Sequence, residues 1–170
     1  VHSTPEAFFQ ALEDESVDAP VFADDLRPVF VGCYTAQARV KQLHRELENH
    51  LFAAEKLLTA AAVQGLTAYP SAQLHEAEQD LLFAEFHDIL HGTTIQECEA
   101  DSIGVLQHGL TTVSRLQMKG AMALLAGQPK AVPEQTPVFL YNPHPYPITG
   151  DFVFELMPPT RTGRRSSEMR

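Results

Sequence analysis

Basic charge is scarce in this sequence. Its 170 residues carry 12 Lys and Arg against 22 Asp and Glu, a formal net charge of −10 with pI about 5.1. Four of the twelve basic residues, Arg161, Arg164, Arg165 and Arg170, crowd the C-terminal end, so the remainder is more acidic still. That balance excludes nucleic acid and anionic membrane as expected partners, since both recruit basic surfaces. Cysteine is equally scarce. Cys33 and Cys98 stand alone, outside any CxxC pattern, which excludes a zinc ribbon and a thioredoxin motif. Two isolated cysteines read as buried thiols of a reducing compartment, and the expected location is cytoplasmic. No apolar run reaches transmembrane length, and no signal-peptide core opens the chain. No internal repeat and no Gly-rich phosphate loop is found. Val1 stands where an initiator Met would, so the chain reads as a piece of a longer protein.

What is present is hydrophobic content of 44%, enough for one sizeable core. Three segments carry it with helical periodicity. From Thr35 to about Val63, Val40, Leu43, Leu47, Leu51, Ala54, Leu58 and Ala61 recur every three or four residues. Gln64-Gly65 closes that helix, and Ser71 is placed to cap the next. In the second, Leu74, Ala77, Leu81, Leu82, Phe86, Ile89 and Leu90 keep the spacing up to a stop at His91-Gly92. The third runs from about Thr94 to Ala126 along Ile103, Leu106, Leu110, Val113, Gln117 and Leu124. Thr94 with Glu97 forms a capping-box pattern at its start. The expected fold is therefore all-α, an antiparallel three-helix bundle joined by short links. Leu47, Leu51, Phe83, Phe86, Leu106, Leu110 and Val113 are its expected core.

The ends differ. Pro5 to Glu13 is a short amphipathic helix, followed by extended segments at 18–22 and 27–31. After a proline-containing linker, 138–142 and 151–156 read as short strands that open a following β domain. The expected division is 1–32, 33–128 and 129–170.

One stretch holds the chemistry. In Glu85-Phe86-His87-Asp88-Ile89-Leu90-His91-Gly92, an imidazole and a carboxylate stand side by side at a helix end, and His91 shares the face of His87. Two readings are open for the pair. It is a metal or sugar contact, or it is a histidine favoured by the helix dipole beside a solvated aspartate.

Three stretches in order resemble one family, the family 38 glycoside hydrolases, which are α-mannosidases. They are Gly32-Cys33-Tyr34-Thr35-Ala36-Gln37-Ala38 through Lys41, Glu48, Leu51 and Ala54-Glu55, then Phe86-His87-Asp88-Ile89-Leu90-His91-Gly92-Thr93 with Ile95-Gln96, then Leu140-Tyr141-Asn142-Pro143-His144-Pro145. The resemblance implies a longer multidomain enzyme. Residues 1–32 would end a catalytic α/β barrel, 33–128 would be the helical middle domain, and 129–170 would begin the C-terminal β region. The implied reaction is retaining hydrolysis of α-mannosides, in oligosaccharides or mannosylglycerate, with an Asp nucleophile and a divalent metal, usually zinc. The resemblance assigns His87 as a metal ligand and Asp88 as a substrate contact. The nucleophile falls upstream of Val1, so this piece alone is expected to be inactive. The implied partner is an α-mannoside, and a homo-oligomer of the longer enzyme is allowed. Two positions depart from the family pattern: His91 stands where members commonly have Pro, and Val31 where they often have Arg. The rival class is a non-enzymatic helical interaction module with an acidic surface.

Overall fold

The computed structural model describes residues 2–16, 18–26, 30–130, 132 and 136–153. Four α-helices appear in it: α1 over Pro5–Asp14, α2 over Ala38–Val63, α3 over Ser71–Ala84 and α4 over Gln96–Leu125. A short 3₁₀ turn, Val31–Tyr34, precedes α2. Helices α2, α3 and α4 pack on one another, and α1 packs on none of them and buries no residue. The run is up-down-up. His44 of α2 meets Glu85 just beyond α3, and Asp80 of α3 meets His108 and Gly109 of α4, so α3 opposes both neighbours. The all-α bundle is thus the observed fold.

The core follows the apolar periodicity. Val40, Leu47, Ala54, Leu58 and Ala61 of α2 are buried, as are Leu106 and Val113 of α4. Leu110 lies half-buried against that cluster. Gly109 lets α4 come close, because a β-carbon there would stand 2.7 Å from the Leu47 side chain. Thr4 caps α1 by accepting from the Ala7 amide, with Pro5 in the first helical position.

Five expectations are corrected. Phe83 and Phe86 are not in the core; they are 58% and 53% exposed. The buried stripe of α3 is Leu74, Ala77, Leu81 and Ala84; Phe83 lies off that stripe, and Phe86 follows the end of the helix. The second helix ends at Ala84 rather than at His91-Gly92. Continuing that stripe by four would bring Asp88 to the core, where an unpaired carboxylate is costly. The chain breaks instead, and Ile89 is buried in its place. Neither cap falls where the spacing put it. Pro70 occupies the N-cap before Ser71, and Ile95 the N-cap of α4, because the Thr94 hydroxyl is spent on a distant partner, Gln37. The thiols are not buried: Cys33 is half-buried, Cys98 exposed, and both are free. Among the described residues no strand forms, at 18–22, at 138–142 or at 151–153. A lone extended segment has no ladder partner. Residues 27–29 and 154–156, which belonged to expected strands, lie outside the described residues. The segment after the linker turns at Asn142, whose side chain accepts from the His144 amide, and His144 packs on Phe52 of α2 and stacks on Tyr146.

Candidate functional site

Between Ala84 and Gln96 the chain makes one detached helical turn. Leu90 donates its amide to the Phe86 carbonyl at 3.1 Å, closing the turn that contains His87 and Asp88. Gly92 then ends it at φ +83°. The Gly92 amide reaches Ile89 O and the Thr93 amide reaches Asp88 O, which is the double closure of a Schellman motif. The sequence located the positive-φ glycine, but as the stop of the second helix rather than of this turn. What it missed is the separation of the turn from α3. His91, once placed on a shared helical face with His87, is an exposed residue of the turn itself.

His87 and Asp88 are displayed at the end of the bundle. Their side chains are 80% and 56% exposed, with His87 Nε2 3.6 Å from Asp88 Oδ2. The Phe86 ring lies against the imidazole, with centroids 4.3 Å apart. Thr93 Oγ1 donates to Asp88 Oδ1 at 3.3 Å, which orients the carboxylate from behind. Asp88 also lines a groove of about 1070 Å³ with Phe83, Phe86, Ile89, Ile95 and Cys98. The exposed phenylalanines therefore form an apolar wall beside the polar pair.

The turn is held by three side chains, Gln37 at the N-cap of α2 and Lys41 and His44 within it. Gln37 donates to Thr94 O at 3.1 Å and accepts from Thr94 Oγ1 at 3.1 Å. Lys41 Nζ donates to Leu90 O at 2.7 Å and to Ala36 O at 2.6 Å. His44, buried, donates from Nε2 to Glu85 Oε1 at 3.1 Å. Gln37 holds φ +48°, a left-handed conformation that a non-glycine residue keeps only when its surroundings hold it. Sequence reading passed over these three. The available signal was polar residues at 37, 41 and 44 interleaved with the buried positions 40 and 47.

The chemistry of the pair suits part of a metal site. An exposed imidazole beside a carboxylate offers nitrogen and oxygen donors of the kind zinc takes, but a catalytic zinc needs about three protein ligands. Among the described residues, no group of three or more His, Cys, Asp or Glu side chains is gathered to hold a metal. The residues fit a share of such a site rather than a whole one. Elsewhere, His108 Nδ1 donates to Asp80 Oδ2 at 2.7 Å, with Glu76 4.0 Å from the other ring nitrogen. The hydrogen bond to Asp80 and then its charge hold this imidazole above its ordinary value of 6.5. That cluster bridges α3 and α4 and stands apart from the turn.

Fold and turn together define a helical-bundle module that displays the adjacent His87 imidazole and Asp88 carboxylate at its end. The family model described as alpha mannosidase middle domain matches residues 29–124, and the chain belongs to that family. It is similar to alpha-mannosidase 2C1 of Homo sapiens, 32% identical over 133 residues, covering 75% of this chain and 12% of that protein. Alpha-mannosidase G of Dictyostelium discoideum is 33% identical over 109 residues, covering 64% of this chain and 10% of its own length. The alpha-mannosidase of Saccharomyces cerevisiae is 34% identical over 82 residues, 46% of this chain and 8% of that one. The chain thus spans about 12% of the length of the first of these relatives. No solved structure matches it.

Proposed function

We propose that this chain serves as the middle domain of a retaining α-mannosidase and lends two groups to its active site. His87 contributes one ligand to a divalent metal, expected to be zinc, and Asp88 hydrogen-bonds a hydroxyl of the mannosyl ring. The observation that carries the reading is the display of both groups, side by side and exposed, on one capped turn at the end of the bundle. A single imidazole holds zinc too weakly to form a site alone. The remaining ligands and the nucleophile belong, on this reading, to the rest of the longer enzyme.

When bound, the metal engages sugar hydroxyls and favours the distorted ring of an oxocarbenium-like transition state. The residues of this chain have simpler tasks. His87 presents a ring nitrogen beside the Asp88 carboxylate at the end of the bundle. Asp88, braced by Thr93, accepts from a hydroxyl through a charge-assisted hydrogen bond, the stronger kind, which counts for rate where it tightens in the transition state. The apolar wall of Phe83 and Phe86 beside them is the face for the rest of the enzyme to cover, since large exposed apolar patches mark contact surfaces. On this reading the chain alone does not hydrolyse mannosides, since the nucleophile belongs to the rest of the longer enzyme and the described residues gather no full metal site.

The test is Asp88→Asn in the longer enzyme. It should keep wild-type zinc content and lose roughly ten- to hundredfold in turnover, the size of one charged hydrogen bond. Wild-type turnover would remove Asp88 from the substrate contacts.

A further inference from the structure

We infer that Lys41 is the positioning residue of the His87–Asp88 turn, fixing both side chains before metal or sugar arrives. The inference rests on the roles proposed for His87 and Asp88 and deepens them.

The three side chains that grip the turn from α2 do different work. Gln37 holds Thr94, beyond the Gly92 stop, and His44 holds Glu85, before the turn begins. Both act at its flanks. Lys41 reaches the turn itself, at Leu90 O, 2.7 Å from its ammonium. Leu90 is the residue whose amide closes the turn on Phe86, so the carbonyl that Lys41 holds sits one α-carbon beyond the ring of atoms that carries His87 and Asp88. The second hydrogen bond of Lys41, to Ala36 O at 2.6 Å, ties the same ammonium to the loop before α2.

That loop and the turn are already in contact. A β-carbon on Gly92 would stand 2.8 Å from Ala36 Cβ and 3.0 Å from Ala36 O. Lys41 therefore joins two backbones at the point where they touch. Lysine suits this task. Its compact ammonium has three donors that diverge to separate acceptors, whereas a guanidinium presents its donors in one planar fork. The arrangement also orders a long flexible side chain that would otherwise extend into water, and it directs a cation to two backbone carbonyls rather than to a carboxylate. Pinned at both flanks and in the middle, the turn loses the rocking that flank contacts alone would allow. A ligand held this way meets a metal without first being ordered, which is how groups behind a ligand raise affinity.

The test compares Lys41→Met, Lys41→Arg and His87→Ala in the longer enzyme. Zinc affinity is read by competition with a chelator, backbone amide exchange at 89–93 in the metal-free protein, and melting of that metal-free protein. Lys41→Met should weaken zinc roughly ten- to hundredfold. It should speed exchange at 89–93 and leave helical exchange in α2 and α4 unchanged. Lys41→Arg, which keeps donors on the same face, should fall between wild type and Lys41→Met. If Lys41→Met folds poorly, Lys41→Arg carries the comparison, and wild-type exchange and zinc affinity in it would overturn the inference. So would Lys41→Met with wild-type zinc affinity beside a His87→Ala that has lost it. A lower melting point with zinc affinity unchanged would show a purely structural lysine, and also overturns it. Wild-type zinc affinity in His87→Ala would remove the underlying reading of the site, and the role of Lys41 with it.

Discussion

The middle of the bundle and its 85–94 end are built on opposite rules. In the middle, apolar side chains meet across three helices, and Leu47, Leu58, Leu106 and Val113 are fully buried. At the end, the contacts are polar and cross between segments far apart in sequence, from Gln37 to Thr94 and from Lys41 to Leu90. Ile89 is buried there, while Phe86 and, at the end of α3, Phe83 face outward. The difference separates stability from function. Apart from the buried Ile89, packing holds the bundle without the turn's side chains, so the turn is at liberty to display a histidine and an aspartate that contribute little to folding.

The sharpest break of that contrast compares two truncations in one denaturation series. Leu106→Ala should cost about 2–5 kcal/mol, because it empties a fully buried site. Phe86→Ala in the isolated chain should cost less than about 1 kcal/mol, because the ring is half in water. A Phe86 loss as large as that of Leu106 would mean that the ring is a core residue after all. Gly92→Ala comes next. It forces a side chain into a left-handed φ and against the Ala36 backbone, and should cost about 1–3 kcal/mol. Amide exchange should show the loss concentrated at 85–94, and a loss spread evenly through α2 and α4 would contradict the separation. The smallest effect concerns pH. His108 carries a raised pKa through its hydrogen bond to Asp80, so its contribution is fully present below about 6.5 and fades as pH rises through the higher folded value. Asp80, Glu76 and Arg115 are the charges that act on it. His108→Gln should flatten a shallow decline of stability over that window, and an unchanged decline would assign it to another group.

The two regions also differed in how legible they were. In α2 the sequence announced nearly every buried position, since one helix buried along one stripe obeys a single period. His44 escaped because a buried imidazole needs its partner, Glu85, to be known first. In α3 the apolar residues occupy two faces, and periodicity alone does not say which is inward. Phe83 and Phe86 were therefore assigned to a core that Leu81 and Ala84 actually fill. The Gly92 stop was legible because positive φ is a local demand that glycine meets. The failed Thr94 cap was not, since the hydroxyl's partner Gln37 lies 57 residues away in sequence. The roles proposed for His87 and Asp88 come from the resemblance alone; their residue types left a bland helix-end reading open. Lys41 stood in the resembling stretch without a role, because the carbonyls it binds carry no sequence signal.

The account's central claim is that His87 belongs to a metal site and not to the fold. One measurement meets it directly: zinc content per molecule of His87→Ala in the longer enzyme, taken with the melting temperature of the metal-free protein. The account predicts that zinc and turnover fall together while metal-free melting stays within about a degree or two of wild type, as for an exposed side chain outside the core. Full zinc content with wild-type turnover would contradict it.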